Sequence, residues 1–431
     1  MRSFGATPGV QGIWRSQTAA LARGEHRRDE GGRLAVGAAV AVVALLPVLR
    51  PAGPANSVPV DALIALALLA TVLWIGSSGA RLAFPYALPF CLILVGGAVG
   101  ALFGTTPRNG VTALAQDVTL LLWFWAVVNI CSSPERLRAI LRAWAYAAVG
   151  WAVVLLGSVV AGVTAISGQT ESEGVRTALT FGNPNLAGNY FFVSIMIVWA
   201  TGRPRHPAVR IAAYALLLTA LGSTGSNSAL VAIVVGTTVA FLLAVYRRAG
   251  LIPAATVLTG VALAVGVLSS TVSIREIQAS ANRSSYVYIR DGVGRSAKTT
   301  SDRGLLWSQG IHLYQAGGPL GAGPASTKVR LKDELAHRPV EAHTDYLAAL
   351  NERGVLGIIG VSLLVAGLVF QAFRLAGTTG GTVARAIARP HALAGATAGM
   401  LVAMTTTEYL HVRHVWTLFA LVVAGARMAR E

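Results

Sequence analysis

The chain has 431 residues, 54% of them hydrophobic and only 12% charged, with a mean hydropathy of +0.61. Soluble domains carry about 25% charged residues, so the composition excludes an ordinary soluble protein and points to an integral membrane protein. The net charge of +17 would suggest nucleic acid in a soluble chain, but the arginines fall between apolar stretches where membrane topology puts them, and nucleic-acid binding is rejected.

The tail 1–33 is polar and carries Arg23, Arg27, Arg28 and Arg33. It is too long for a signal peptide, and no small-residue cleavage site leads into a soluble domain, so the apolar run behind it is taken as a retained first helix. A hydrocarbon core about 30 Å thick needs roughly 20 apolar residues per helix. Such stretches recur at 34–50, 58–78, 84–104, 111–131, 138–162, 184–201, 208–222, 228–246, 252–270, 345–373, 390–408 and 414–428. The expected fold is therefore all-α, with about twelve transmembrane helices: nine in 34–270, a polar loop at 271–344, then three more and a short tail in 345–431. Cys91 and Cys131 lie in apolar stretches and read as small hydrophobes, with no disulfide framework or zinc site implied.

Orientation follows from the arginines. One set of connections holds Arg81, Arg136, Arg138, Arg142, Arg203, Arg205, Arg210, Arg247, Arg248, Arg374, Arg385 and Arg389; the alternate set holds only Arg50, Arg108, Arg176 and Arg413. By the positive-inside bias both termini are cytoplasmic, and the loop 271–344 lies outside with 163–183, the Gly222–Asn227 turn and the Glu408–His414 connection. No internal repeat stands out, which lowers the support for a transporter built of two matching halves.

Within the loop, Asp302 to Gln315 carries Leu305, Leu306, Trp307, Ile311, Leu313 and Tyr314 at helical spacing, stopped by Gly317, Gly318 and Pro319. A turn with Gly321, Gly323 and Pro324 follows, then a basic run with Lys328, Arg330 and Lys332, then Glu341, His343, Asp345 and Tyr346 at the re-entry into the membrane. Gly321-Ala-Gly-Pro is no dinucleotide loop, because no strand precedes it. No paired-aspartate motif for a metal and a nucleotide sugar occurs in a cytoplasmic connection, so neither a metal nor a cofactor is expected.

Each polar candidate has two readings. His343, flanked by Glu341 and Asp345, is either a proton-transfer group with a pKa near neutral or a solvated interfacial histidine. Arg303 either holds a diphosphate with its fork or is a solvated first-turn arginine. In Phe181-Gly-Asn-Pro-Asn-Leu-Ala-Gly-Asn-Tyr190, Asn183 caps a helix with Pro184 at its start, while Asn185 and Asn189 offer amides to a polar ligand or merely to the fold. Asp117, beside Gln116 inside the fourth span, is a functional acid or a partner for a neighbouring helix. Glu408, His411, Arg413 and His414 either meet solvent at the interface or line the same outer cavity.

In order along the chain, FGNPNLAGNY, SDRGLLW, PLGAGP and AHTDYLAALNERGVLG resemble the O-antigen ligase and polymerase superfamily over about residues 110 to 420. The resemblance implies a multi-pass protein of the bacterial inner membrane that works on the extracytoplasmic face. It would transfer a glycan from a polyprenyl-diphosphate carrier to a lipid or glycan acceptor among the membrane lipids. His343 matches the family's proposed catalytic base and Arg303 an arginine thought to hold the donor diphosphate. The family's Ser-Arg pair at the turn before the eighth span is Ser226-Asn227 here, so one cation is missing. Asn227 gives hydrogen bonds without charge, and Arg290, Lys328, Arg330 or Arg338 are the candidate substitutes. The family's His-Asn is His343-Thr344. The expected donor-diphosphate set is Arg303, Asn227 and Arg338, and the expected cavity set is Asn183, Asn185, Trp307, Glu341, Asp345 and Tyr346. Ligase and polymerase share these parts; a lipid-linked glycan flippase is the rival class.

Overall fold

In the computed structural model the described residues are 31–53, 57–79, 82–104, 107–170, 174–271, 273–285, 290, 307–316, 318–327, 329–330, 344–378 and 380–430. They form helices and turns, with no strand among them. Every expected span falls on a helix: α1 Gly31–Ala44, α2 Pro59–Ser78, α3 Ala87–Phe103, α4 Pro107–Ile130, α5 Pro134–Val160, α6 Pro184–Thr201, α7 Pro207–Ser223, α8 Asn227–Ala249, α9 Leu251–Thr271, α10 Asp345–Gly377, α11 Pro390–Ala403 and α12 Arg413–Met428. Five of them, α2, α4, α5, α8 and α10, are long and apolar enough to cross a membrane.

The boundaries follow local chemistry. Pro sits at the start of α2, α5, α6, α7 and α11, where its missing N–H removes no helical bond. Ser133, Asn183 and Ser226 accept backbone N–H groups in the first turns of α5, α6 and α8. The first span is shorter than its apolar run: α1 stops at Ala44, and the chain turns through Pro47. The amphipathic helix expected from Asp302 is described over 307–316, and 301–306 lie outside the described residues.

The centre of the bundle is α6, α11 and α12, whose residues are nearly all buried. There is no hydrophobic drive between helices inside lipid, so close backbone approach takes over. α11 meets α8 through glycines: a methyl on Gly395 would overlap the Gly236 carbonyl, and one on Gly399 the Ala232 carbonyl. Aromatic edges fill the remainder, with Phe90, Phe124 and Trp416 in mutual edge-to-face contact at 5.3 to 6.1 Å between ring centroids.

One feature shapes the site. α10 is interrupted at Gly354, whose φ of 60° and ψ of −157° leave the helical region. An interruption orphans backbone groups that must find partners elsewhere. The segment 319–323 supplies them: Ala322 N–H donates to the Asn351 carbonyl at 2.8 Å, Gly323 N–H to Glu352 at 3.0 Å, and Val355 N–H donates to Pro319 at 2.9 Å. A side chain at Gly354 would overlap the Pro319 carbonyl. α3 closes over this join with Gly96 and Gly100; a methyl on Gly96 would come within 2.6 Å of the Arg353 carbonyl. The PLGAG turn and the ERG triplet thus mate by backbone, and their glycines are required by the fit.

Polar residues segregate to two ends. Arg413 forks onto Asp61 at 2.6 Å, tying the start of α12 to the start of α2. At the other end Arg136 lies over the Trp74 ring, 4.5 Å from its centroid, and Arg389 donates to the Trp199 carbonyl at 3.3 Å. Three of the connections that the arginine count assigned to one side, those of Arg138 and Arg142, of Arg203 and Arg205, and of Arg385, meet around one cavity.

Candidate functional site

At the end where α2, α10 and α12 begin, a cavity of about 240 Å³ opens between α4, α10, the 324–325 turn and the 408–411 segment. Its polar lining is Gln116, Asp117, Asp345, Glu352, Arg353, Glu408 and His411. The helical spacing explains the α10 side: Asp345, Ala348, Ala349 and Glu352 fall at i, i+3, i+4 and i+7, which is one stripe, and the two alanines leave the space between the acids open.

These charges are held in place. Arg353 donates to Asp117 at 2.5 Å, both side chains being 15% exposed. Such a pair is well compensated as it stands and expensive to break on one side only. Asp345 accepts the N–H groups of Tyr409 and Leu410, each at 2.8 Å. Its own N–H donates to the Met404 carbonyl at 3.0 Å. The 404–410 segment is therefore pinned to the first turn of α10. Glu352, 7% exposed, accepts the Thr327 N–H at 3.3 Å and so fastens the loop segment to the same wall.

A second polar group adjoins it at the α6 and α8 helix starts. Asn183 accepts the Asn185 N–H at 2.9 Å, as a cap. The Asn185 side-chain oxygen accepts from the Ser226 hydroxyl at 3.0 Å and from Arg176 at 3.2 Å. Arg176, 5% exposed, also donates to the Thr224 carbonyl at 2.8 Å, and its side chain covers Gly225. Asn227 is the first residue of α8. Tyr409 joins the two groups: its hydroxyl donates to the Asn185 carbonyl at 3.4 Å and bonds Ser228 at 3.2 Å, while its N–H binds Asp345.

Residues 212–362 match the family model described as O-antigen ligase. Over that segment the chain is similar to the O-antigen ligase family. No curated relative matches the chain. The matched segment runs from α7 to just beyond the break in α10, so it contains Asn227, Trp307, Asp345, Tyr346, Glu352 and Arg353. Asp117, Arg176, Asn183, Asn185 and Tyr409 complete its surroundings from outside the matched segment. The superfamily resemblance is therefore shown, and with it a multi-pass membrane protein whose class of activity is glycosyl transfer.

The expected site residues are distributed as follows. Asp345 lines the cavity, with its carboxylate engaged by two amides. Asn183 and Asn185 belong to the adjoining group, and Asn183 acts there as a helix cap. Tyr346 points its hydroxyl at the Leu401 carbonyl, 3.3 Å away, and is not among the lining residues. Trp307, 42% exposed, lies in the helix described over 307–316. Arg303, Arg338, Glu341 and His343 lie outside the described residues. Of the proposed substitute cations, Arg330 donates to the Leu313 carbonyl at 3.5 Å, and Lys328 lies outside the described residues. The interface cluster divides: Glu408 and His411 line the cavity, Arg413 binds Asp61, and His414 is buried against Asn189 at 2.9 Å. Sequence reasoning missed Arg176, Glu352, Arg353 and Tyr409. The Asn-Glu-Arg-Gly run was the available signal for two of them, since adjacent opposite charges in an apolar helix demand partners.

Proposed function

We propose that the chain is an extracytoplasmic glycosyltransferase of the O-antigen ligase type. It moves a glycan from a polyprenyl-diphosphate carrier to an acceptor hydroxyl. The observation that carries this reading is the polar cavity at the start of α10, whose α10 wall and 324–325 turn fall within the ligase match. His343 stands two residues before Asp345 in the sequence, and Asp345 lines that cavity.

The chemistry is a displacement at the anomeric carbon. As the acceptor oxygen bonds to that carbon, His343 takes its proton, and the bond from the anomeric carbon to the diphosphate oxygen breaks with its electrons going to the diphosphate. A base at this step contributes typically about 10² to 10⁴-fold. The leaving diphosphate is received by Arg303 and Arg338, with Asn227 donating a hydrogen bond. Arg176 adds a positive charge at the turn where the family's arginine is replaced by Asn227. Its guanidinium is already bonded to Thr224 and Asn185, so it acts through its field and by fixing the turn. With arginines in that role no metal is required. The positive-inside bias makes the cavity face extracytoplasmic and leaves both termini in the cytoplasm.

The test is incubation of the purified protein with a lipid-linked oligosaccharide and candidate acceptors in excess chelator, with products read by mass. Transfer to a lipid core or protein marks a ligase; chain extension on the carrier marks a polymerase. A chelator-sensitive activity restored by Mg²⁺ overturns metal independence. The flippase reading gains one observation, the charges of Asp117, Glu352 and Arg353 inside helices. Carrier translocation across vesicles without any transferred product would establish it instead.

A further inference from the structure

The end of the bundle opposite the cavity holds a second set of charges with a different character. Arg138 and Arg142, one turn apart on α5, share a cavity of about 230 Å³ with Arg203, Arg205 and Arg385. Arg203, Arg138 and Arg205 are near enough to Arg142 to act on its charge. Like charges at i, i+4 on a helix repel. The ion pairs among the described residues, Arg353 with Asp117 and Arg413 with Asp61, involve none of the five. The carboxylate that acts on Arg138 and Arg385 is Glu135, which is exposed.

The five-arginine cavity shares its walls at Ala384 and Ala388 with a second basic cavity, of about 310 Å³, lined by Arg247, Arg248 and His391. Further along α8 and α11, the two helices that also line that cavity, is an apolar groove of about 160 Å³ between Val239 and Leu243 of α8, Phe373 of α10, and Ala394 and Ala398 of α11. The register is helical: Val239, Leu243 and Arg247 are successive i+4 neighbours, so groove and guanidinium lie on one face of α8, about 6 Å per step. An apolar slot capped by forked cations has the form of a lipid site, since guanidinium groups bind phosphate bidentately and basic pockets between helices hold anionic headgroups. Two adjoining basic cavities above one slot call for two phosphates.

We propose that this tract binds an anionic membrane phospholipid carrying two phosphates, a cardiolipin-class lipid. One phosphate lies at Arg247 and Arg248, the other among Arg138, Arg142, Arg203, Arg205 and Arg385, and an acyl chain lies in the groove between α8, α10 and α11. The site is far from the transfer chemistry and does not depend on its details. Lipid at this position would join α5, α8, α10 and α11 at the end where, among the described residues, the five arginines enter no ion pair.

The experiment is native mass spectrometry of the full chain released from nanodiscs, with tetraoleoyl cardiolipin, dioleoyl phosphatidylglycerol and inorganic pyrophosphate as separate probes. Wild type is compared with Arg142→Gln/Arg203→Gln and with Arg247→Gln/Arg248→Gln. Arg136→Gln serves as a control, because Arg136 is on the same face but stacks on Trp74. Each double variant is expected to weaken cardiolipin retention about tenfold or more, with Arg136→Gln unchanged and phosphatidylglycerol held less tightly than cardiolipin by wild type. Thermal unfolding in detergent without added lipid should be the same for the double variants and wild type, so that lost binding is not lost fold. Retention in both double variants equal to wild type overturns the proposal. Equal affinity for phosphatidylglycerol overturns the two-phosphate assignment, and pyrophosphate binding as tight as cardiolipin makes it a site for a soluble anion instead.

Discussion

The two ends of the bundle treat charge in opposite ways. At the cavity end Asp117, Asp345 and Asp61 are each matched by Arg353, by two backbone amides, or by Arg413. At the other end, five arginines share one cavity and take no part in the ion pairs among the described residues. Electrostatics gives the difference meaning. A cavity whose carboxylates are held by an arginine and by backbone amides keeps its geometry when a substrate enters and leaves, and so is pre-organised. A cavity of like charges is stable only with anions from outside, whether water-borne ions or lipid phosphates.

The largest effect that would break this comparison comes from uncoupling the cavity's central pair. Arg353→Met strands the Asp117 carboxylate in a wall only 15% exposed, so stability should fall by about 3 to 5 kcal/mol. Arg353→Met combined with Asp117→Leu should recover most of it, because an apolar pair of similar volume replaces the buried ions. Denaturation in lipid nanodiscs reads both. If the single variant is as stable as wild type, the pair is solvated and the cavity end is no better compensated than the arginine end.

Catalysis comes next. His343→Gln and His343→Ala should lower glycan transfer at least about a hundredfold while leaving expression and donor binding nearly intact. Full turnover in His343→Gln would move the base elsewhere. Glu341 is then the better alternative, because both Asp345 oxygens already accept backbone N–H groups. Arg303→Lys keeps the charge but loses the fork, so activity should fall substantially, and Arg303→Ala further. Wild-type activity in both would return Arg303 to a solvated surface role.

The extent to which the sequence announced these features depended on their range. The helices were legible because hydropathy, Pro and capping residues act locally, as at Ser133-Pro134 and Asn183-Pro184. Asp117 was legible as an acid out of place. Its partner was not, because Arg353 is 236 positions away and only the tertiary packing of α4 and α10 against α3 brings them together. The same holds for Arg176, which reaches the turn at Gly225 from another connection. The order of FGNPNLAGNY, SDRGLLW, PLGAGP and AHTDYLAALNERGVLG carried the family resemblance, yet the physical relation of the last two, a turn filling the orphaned bonds of a broken helix, has no local signature. Asp345 stood out as a neighbour of His343; that it serves the 409–410 amides is visible only when those amides are near.

A smaller effect tests the packing that holds the two ends apart. Gly395→Ala places a methyl against the Gly236 carbonyl in the α8–α11 contact. Overpacking there should destabilise by about 1 to 3 kcal/mol. Because α8 and α11 also carry Arg247 and His391, cardiolipin retention should drop with it while His343-dependent transfer keeps its substrate KM. A change confined to transfer would mean that the contact serves the cavity end alone.

The smallest expected effect separates fold from chemistry within the cavity end. Asn183 accepts the Asn185 N–H in the first turn of α6, so Asn183→Ala should lose a cap worth about 1 kcal/mol, and Asn183→Ser should restore it. Asn185 is different in kind, since its side-chain oxygen gathers Ser226 and Arg176 at the turn before α8. Asn185→Ala removes that acceptor and loosens Arg176, so it should raise the KM for the lipid-linked donor while stability falls by a similar small amount. The two variants thus make a matched pair with equal cost in stability and unequal cost in donor affinity. Equal donor KM in both would place the whole Asn183–Asn185 group with the scaffold, leaving the diphosphate to Arg303 and Arg338 alone.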